Sequence, residues 1–404
     1  MRRRLAGCWR LYYIDHSKSM GKRELLLVLA FAVVGAAVYQ FTAPPASASA
    51  SSFSVSGFID QLRRHVRGNR SNADTTSTSS HPVSPSTGEV RIAINSQSLT
   101  IVGEDRQDVG SELQVTSNGY DEAEAQRLAG EVALKVVEGG GRLEFRISYP
   151  EGGRQRANVT IRVPTKMRVS VGRYSGKLSV TGAGEVELVD TRGDVTIRDV
   201  PGRVVLTQRG GDLTVSDVGT LKANTRGADV KVARIRGDVT VQCQAGELNA
   251  SELSGALDVE SSGTDVRIER LESTTSSIRI TATNGSVRLA GVRSETRVDA
   301  RNAEVMVSMD RPAKLSIFAE GGESVELTPP KGGFDLDASI TGGGRIVIPD
   351  KYIDVKTEGH EQHAAGPIHG GGPVVTLRAA DGEIVIRLPE SERSTPPAEK
   401  PDRD

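Results

Sequence analysis

The feature that most constrains this chain is a short repeat. From Gly176 onward the sequence returns, about every nine residues, to glycine, a variable residue and an apolar-polar-apolar triplet. The units read GKLSV, GEVEL, GDVTI, GRVVL, GDLTV, GTLKA, GDVTV, GELNA, GALDV and GSVRL. Variants with one inserted residue begin at Gly227 (GADVKV) and Gly263 (GTDVRI). Any fold proposed for the chain has to explain a period this short.

The true period is twice as long. After alternate units comes an extra apolar residue, at Val200, Val218, Ile235, Leu253, Leu271 and Val292. After the other units the matching position is mostly small or polar, at Asp190, Gln208, Thr225, Cys243, Ser261 and Ala282. Two unlike half-coils of about nine residues therefore make one coil of about 18. Each half-coil holds a strand of about five residues and a turn, with pairs such as Val195/Ile197, Leu213/Val215 and Val266/Ile268 pointing inward. Coils stacked at about 4.8 Å form parallel ladders around a narrow aliphatic core. Aromatic residues make up only 4% of the chain, as so thin a core requires. Antiparallel hairpins in a sandwich fit less naturally, because they do not require the two columns to return in the same sense at every second unit. The predicted fold is all-β: a β-solenoid, parallel β-helix-like, with capping strands, preceded by one N-terminal transmembrane helix. Glycine falls at the corners, where positive φ or close backbone approach is needed.

The solenoid domain is expected over residues 88–388. Its first part, about 88 to 171, alternates apolar and polar residues in strand-like segments such as SLTIVG and RLEFRISYP, with one short helix starting at Asp121. These segments would cap one end, and the stretch from Asp350 to Pro389 the other. Residues 389–404 read as a disordered tail.

Ahead of the domain lies an uncharged run, Leu25–Phe41, preceded by a basic segment at 1–24 and followed by no positive charge for about 20 residues. Its length is at the lower limit for a membrane span. The charge bias keeps the N-terminus in the cytoplasm and exports the rest, either on an anchor in the cytoplasmic membrane or after cleavage of a signal peptide at Ala46-Ser47-Ala48 or Ala48-Ser49-Ala50. Met20 is an alternative start. Residues 42–87 divide into a basic amphipathic helix, with Val55, Phe58, Ile59, Leu62 and Val66 opposite Arg63, Arg64, Arg67 and Arg70, and a flexible Ser/Thr/Pro-rich spacer from Ser71 to Thr87.

Lys plus Arg (51) and Asp plus Glu (52) nearly cancel, which argues against a nucleic-acid partner. No nucleophile elbow, phosphate loop or zincin motif is present, so no catalytic or cofactor-binding residue is assigned. His360, His363 and His369 with Glu361 are the weak candidates for a metal, at loose spacing in a Gly-rich stretch. Asp194, Asp212 and Asp238 follow corner glycines and read as turn-capping residues. The two Arg-Gly-Asp triplets, at Arg192 and Arg236, fall on those same corners and mark the register of the coil. Cys243 lies in the small or polar column and reads as a buried thiol. Lys231, Arg267, Arg279 and Arg288 form an outward basic strip, tempered by Asp258 and Glu260.

The segments ANVTIRVPTKMRVSVGRYSGKLSV, the repeated GDVTI and GDLTV units and the closing GEIVIRLP resemble a bacterial family of exported β-strand-repeat proteins, candidate adhesins with a domain of unknown function. That resemblance spans about residues 88 to 388 and implies a single all-β repeat domain, often membrane-tethered. The expected role is a non-enzymatic, adhesin-like scaffold in the cell envelope, attached to the membrane through 25–41 and binding an envelope polymer or protein. Alternatives are a regulatory partner in envelope-stress sensing and, on the histidines alone, a metal-dependent enzyme.

Overall fold

The computed structural model describes residues 71–151, 154–271, 277–349 and 353–387. The segments expected at 1–24, 25–41 and 389–404, and the amphipathic helix within 42–70, lie outside the described residues. Among the described residues no helix is long and apolar enough to cross a membrane. The chain divides into Met1–Gly68 and Asn69–Asp404, and every described residue belongs to the second unit.

Its described residues are all-β apart from one helix and are organised as two parallel ladders. In the first, Val186, Val204, Leu221, Val239, Leu257, Ile278, Thr296 and Leu315 are successive register partners. In the second, the series is Leu178, Val195, Leu213, Val230, Leu248, Val266, Val287, Val305 and Val325. Each step advances 17 to 21 residues, so one coil contributes one strand to each ladder, as the repeat predicts. The inward pairs are buried, with Ile197 and Ile268 fully enclosed. Each such side chain contributes about 1.5–3 kcal/mol of burial. The column from Val200 to Val292 is buried as well. The largest enclosed rings, Phe145, Tyr174 and Phe334, all lie towards the two ends.

Glycine serves the corners in two distinct ways. Gly193 has φ of 94°, and a Cβ there would also lie 2.6 Å from the Gly176 carbonyl oxygen. Gly219 needs no unusual φ, but its Cβ would come within 2.2 Å of the Pro201 carbonyl oxygen one coil away. A further corner mostly uses residues other than glycine, which appears there at Gly291. Asp199, Asp217, Arg234, Glu252 and Arg270 occupy it with φ between 53° and 58°, a conformation that costs L-residues about 1–2 kcal/mol. Two coil-to-coil ion pairs, Asp217–Arg234 at 2.7 Å and Glu252–Arg270 at 3.3 Å, run along it. Hydrogen bonds from Arg234 hold the Asp217 carboxyl below the usual range.

The small or polar column needs one correction. Its first member is Thr191, fully buried and paired with Gln208, rather than Asp190. The register shifts between Leu188 and Thr191, and Asp190 takes φ of 55° in the resulting bulge. Gln208 and Thr191 bond backbone carbonyls from this column.

Both ends close by departing from chain order. The first coil in sequence, Glu89–Ala93 with Ser98–Glu104, lies one layer inside the end. Its strands sit between Arg142–Ser148 and Arg168–Val171 in one ladder, and between Arg154–Pro164 and Lys177–Thr181 in the other. The last coil mirrors it. Val374–Ala380 lies between Leu315–Glu320 and Phe334–Thr341, and Glu383–Ile386 between Ser324–Thr328 and Arg345–Val347. Antiparallel strands then finish the ladders: Asp108–Gly119 and Ala133–Gly139 at one end, Glu361–Ile368 and Lys356–Glu358 at the other.

The expected helix is Glu122–Gly130. The Asp121 side chain accepts from the Glu124 amide at 2.8 Å while the Glu124 carboxylate accepts from the Tyr120 amide at 2.7 Å, a reciprocal start of the capping-box kind. Ala125, Leu128 and Ala129 form its buried face.

The spacer expected from Ser71 to Thr87 is largely a strand. Ser71–Pro82 pairs antiparallel with Asp108–Gly119 along its whole length, so the sheet includes residues ahead of position 88. Its side chains bury little. It is held by backbone pairing and by hydroxyl bonds such as Thr116 Oγ1 to Asp74 Oδ1 at 2.6 Å and Ser79 to Ser111 at 2.7 Å.

Candidate binding face

The half-coil alternation sorts the outward residues onto two faces. On the second ladder, Thr196, Thr214, Lys231, Asn249, Arg267, Arg288, Met306 and Glu326 follow one another at one-coil steps. Two positions further along the strands runs a row of mostly small residues, including Ser216, Ala233, Ser251, Ala290, Ser308 and Thr328. The strip expected from Lys231, Arg267, Arg279 and Arg288 is therefore split. Arg279 lies on the first ladder beside Asp258, and Glu260 is on that ladder too. The proposed tempering by Asp258 and Glu260 does not reach the other three cations.

Short side chains between longer ones leave hollows in an otherwise flat sheet. One, of about 380 Å³, is lined by residues from Thr214 to Arg270, including Lys231, Asn249 and Arg267. The other, of about 270 Å³, runs from Arg267 to Thr328 and includes Arg288 and Met306. They share Arg267 and Glu269 and so adjoin. Lys231, Arg267 and Arg288 make no ion pair among the described residues. Glu269 and Glu326 also line the hollows, so both signs are presented, with Ser216, Asn249, Ser251 and Ser308 offering hydrogen bonds between them. Such a surface can hold an extended chain laid across the coils through many weak polar contacts. It does not enclose and desolvate a small substrate.

Beside the corner glycines, aspartates act as coil-to-coil acceptors. Asp229 Oδ1 accepts from the Glu247 amide at 3.2 Å and Asp238 Oδ1 from the Ala256 amide at 3.0 Å. Asp194 faces the Asp212 amide in the same way at 3.5 Å. In both Arg-Gly-Asp triplets the aspartate thus belongs to the stacking of the coil. Cys243 is buried in its column, and burial pushes its thiol up.

The histidines are not brought together. His360 precedes and His369 follows the strand Glu361–Ile368, which separates them by about 30 Å at the rise of an extended strand. His363, on that strand, contacts Asp337 Oδ1 at 3.3 Å, and Asp337 also accepts from Arg378 at 2.9 Å. Among the described residues no three His, Cys, Asp or Glu side chains converge as a metal site.

The Toastrack DUF4097 family model matches residues 89–254 and again 218–387. No curated protein matches the chain. Among solved structures, a candidate cell adhesion protein from Clostridium sporogenes is 13% identical, covering 78% of this chain and 100% of its own, with a TM-score of 0.19. A candidate adhesin from Parabacteroides distasonis is 12% identical, covering 78% and 97%, with a TM-score of 0.32. The two family matches together span most of the sequence, and the chain belongs to the Toastrack DUF4097 family.

Proposed function

We propose that this protein is a non-enzymatic, adhesin-like scaffold outside the cytoplasmic membrane, tethered by Leu25–Phe41, that binds an envelope polymer or protein along one face of its solenoid. The observation carrying the reading is the pair of adjoining hollows on the second ladder, edged by Lys231, Arg267 and Arg288, which have no ion-pair partners among the described residues. Cations in three of four successive coils, set among hydroxyls, give repeated contacts to an extended ligand, and avidity from repeated weak contacts suits adhesion. The apolar run and the basic segment before it support the tether. Co-sedimentation of the purified full chain with cell-envelope fragments tests the proposal. Binding by the parent and at least tenfold weaker binding by Lys231→Glu/Arg267→Glu/Arg288→Glu is expected. No binding by the parent, or equal binding by the triple variant, contradicts it.

A further inference from the structure

The two ladders have four outer edges, and three are blunted in the ways that keep sheet edges from pairing. Arg345–Val347 is three residues long, and its Ile346 amide is donated to Gln362 Oε1 at 2.7 Å. Lys356–Glu358 is equally short and charged at both ends. Ala133–Gly139 carries Lys135 and Glu138. The fourth edge, Ser71–Pro82, is twelve residues long. From Thr75 to Ser80 it has no charge, proline or glycine. Its inner side is fixed by Asp108–Gly119, and its outer side pairs with no strand among the described residues.

We infer that this edge joins the protein to a second copy of itself through antiparallel pairing of Ser71–Pro82 with its symmetry mate. The composition favours self-pairing over an unrelated strand. With a two-fold axis through any residue from Thr75 to Thr78, Asp74 faces Thr76, Thr78, Ser80 or Pro82 and never its own copy. Threonines and serines then meet across the seam and add cross-strand hydrogen bonds. The second ladder continues from one copy into the next, and the binding face is doubled. The inference does not depend on what that face binds.

The test is sedimentation equilibrium of the full chain in detergent, comparing the parent with Thr76→Glu/Thr78→Glu. Both replaced side chains are exposed, and with Asp74 they place three like charges along each edge. A dimeric parent, a monomeric variant with an unchanged melting temperature, and recovery of dimers on mixing with Thr76→Lys/Thr78→Lys chains are expected. A parent that stays monomeric, or Glu-variant chains that dimerise as the parent does, overturns the inference. So does slow amide exchange across Thr75–Ser80 in monomeric protein, which would show the chain covering its own edge.

Discussion

In the central coils, from Glu185 to Met309, every strand runs parallel to its neighbours one coil away and follows chain order. At the two ends the order breaks: a terminal coil is tucked one layer in, and antiparallel strands cover what remains. The centre is held by stacked aliphatic side chains. The outermost N-terminal strand is held by backbone pairing and hydroxyl hydrogen bonds. A solenoid propagates by repeating one apolar pattern, but it can end only by leaving that pattern.

The largest effect should come from the central core. Ile280→Ala removes a fully buried side chain and is expected to cost about 2–5 kcal/mol, read as a lower denaturant midpoint with one cooperative transition. Loss confined to one end would break the distinction between centre and closures. Next is Gly219→Ala, whose new methyl must displace the backbone of the preceding coil. A cost of about 1–3 kcal/mol is expected by the same measurement.

A smaller and local effect concerns the N-terminal closure. Hydrogen bonds from Arg106, at 2.9 Å to each carboxylate oxygen, and from Ser80 of the edge strand hold the Asp108 carboxyl at about 2. Because the folded value lies below the unfolded value of about 3.9, the stabilisation is complete above about pH 5 and is lost as pH falls through about 2. Carbon NMR of the Asp108 carboxyl should titrate near 2, and Arg106→Ala should return it towards the ordinary range. An unshifted midpoint in the parent would remove this link between the edge strand and the domain. The smallest effect belongs to the strained corner. Asp199→Gly relieves a φ of 54° but frees the unfolded backbone, so stability should change by no more than about 1 kcal/mol in thermal unfolding.

The same contrast explains what was legible in the sequence. Val195/Ile197 and their counterparts revealed the coil because burial imposed the alternation. Ser71–Pro82 has only Ala73 and no apolar alternation, so a strand fixed by its neighbour looked like a spacer. The tucked coils escaped notice because Leu99 or Ile384 carries the same pattern wherever its coil stacks; only the partner differs. Thr191 was missed by one position because a bulge leaves no mark in an apolar period. For the binding face the signal was present. Lys231, Arg267 and Arg288 belong to one type of half-coil and Asp258, Glu260 and Arg279 to the other, and sorting them by type separates the faces. The hollows themselves depend on packing between coils, which spacing does not specify.

The central claim is the stacking order, and spin-label distances from position 196 test it most directly. In a chain with Cys8 replaced and Cys243 left buried, labels at 267, 288 and 326 should lie about 19, 24 and 34 Å away, one step of about 4.8 Å per coil. A label at 385 should come next, near 38 Å, despite the long excursion of chain before it. Distances that fail to rise along this series, or a label at 385 falling nearer than the one at 326, would contradict the two-ladder solenoid with its tucked final coil.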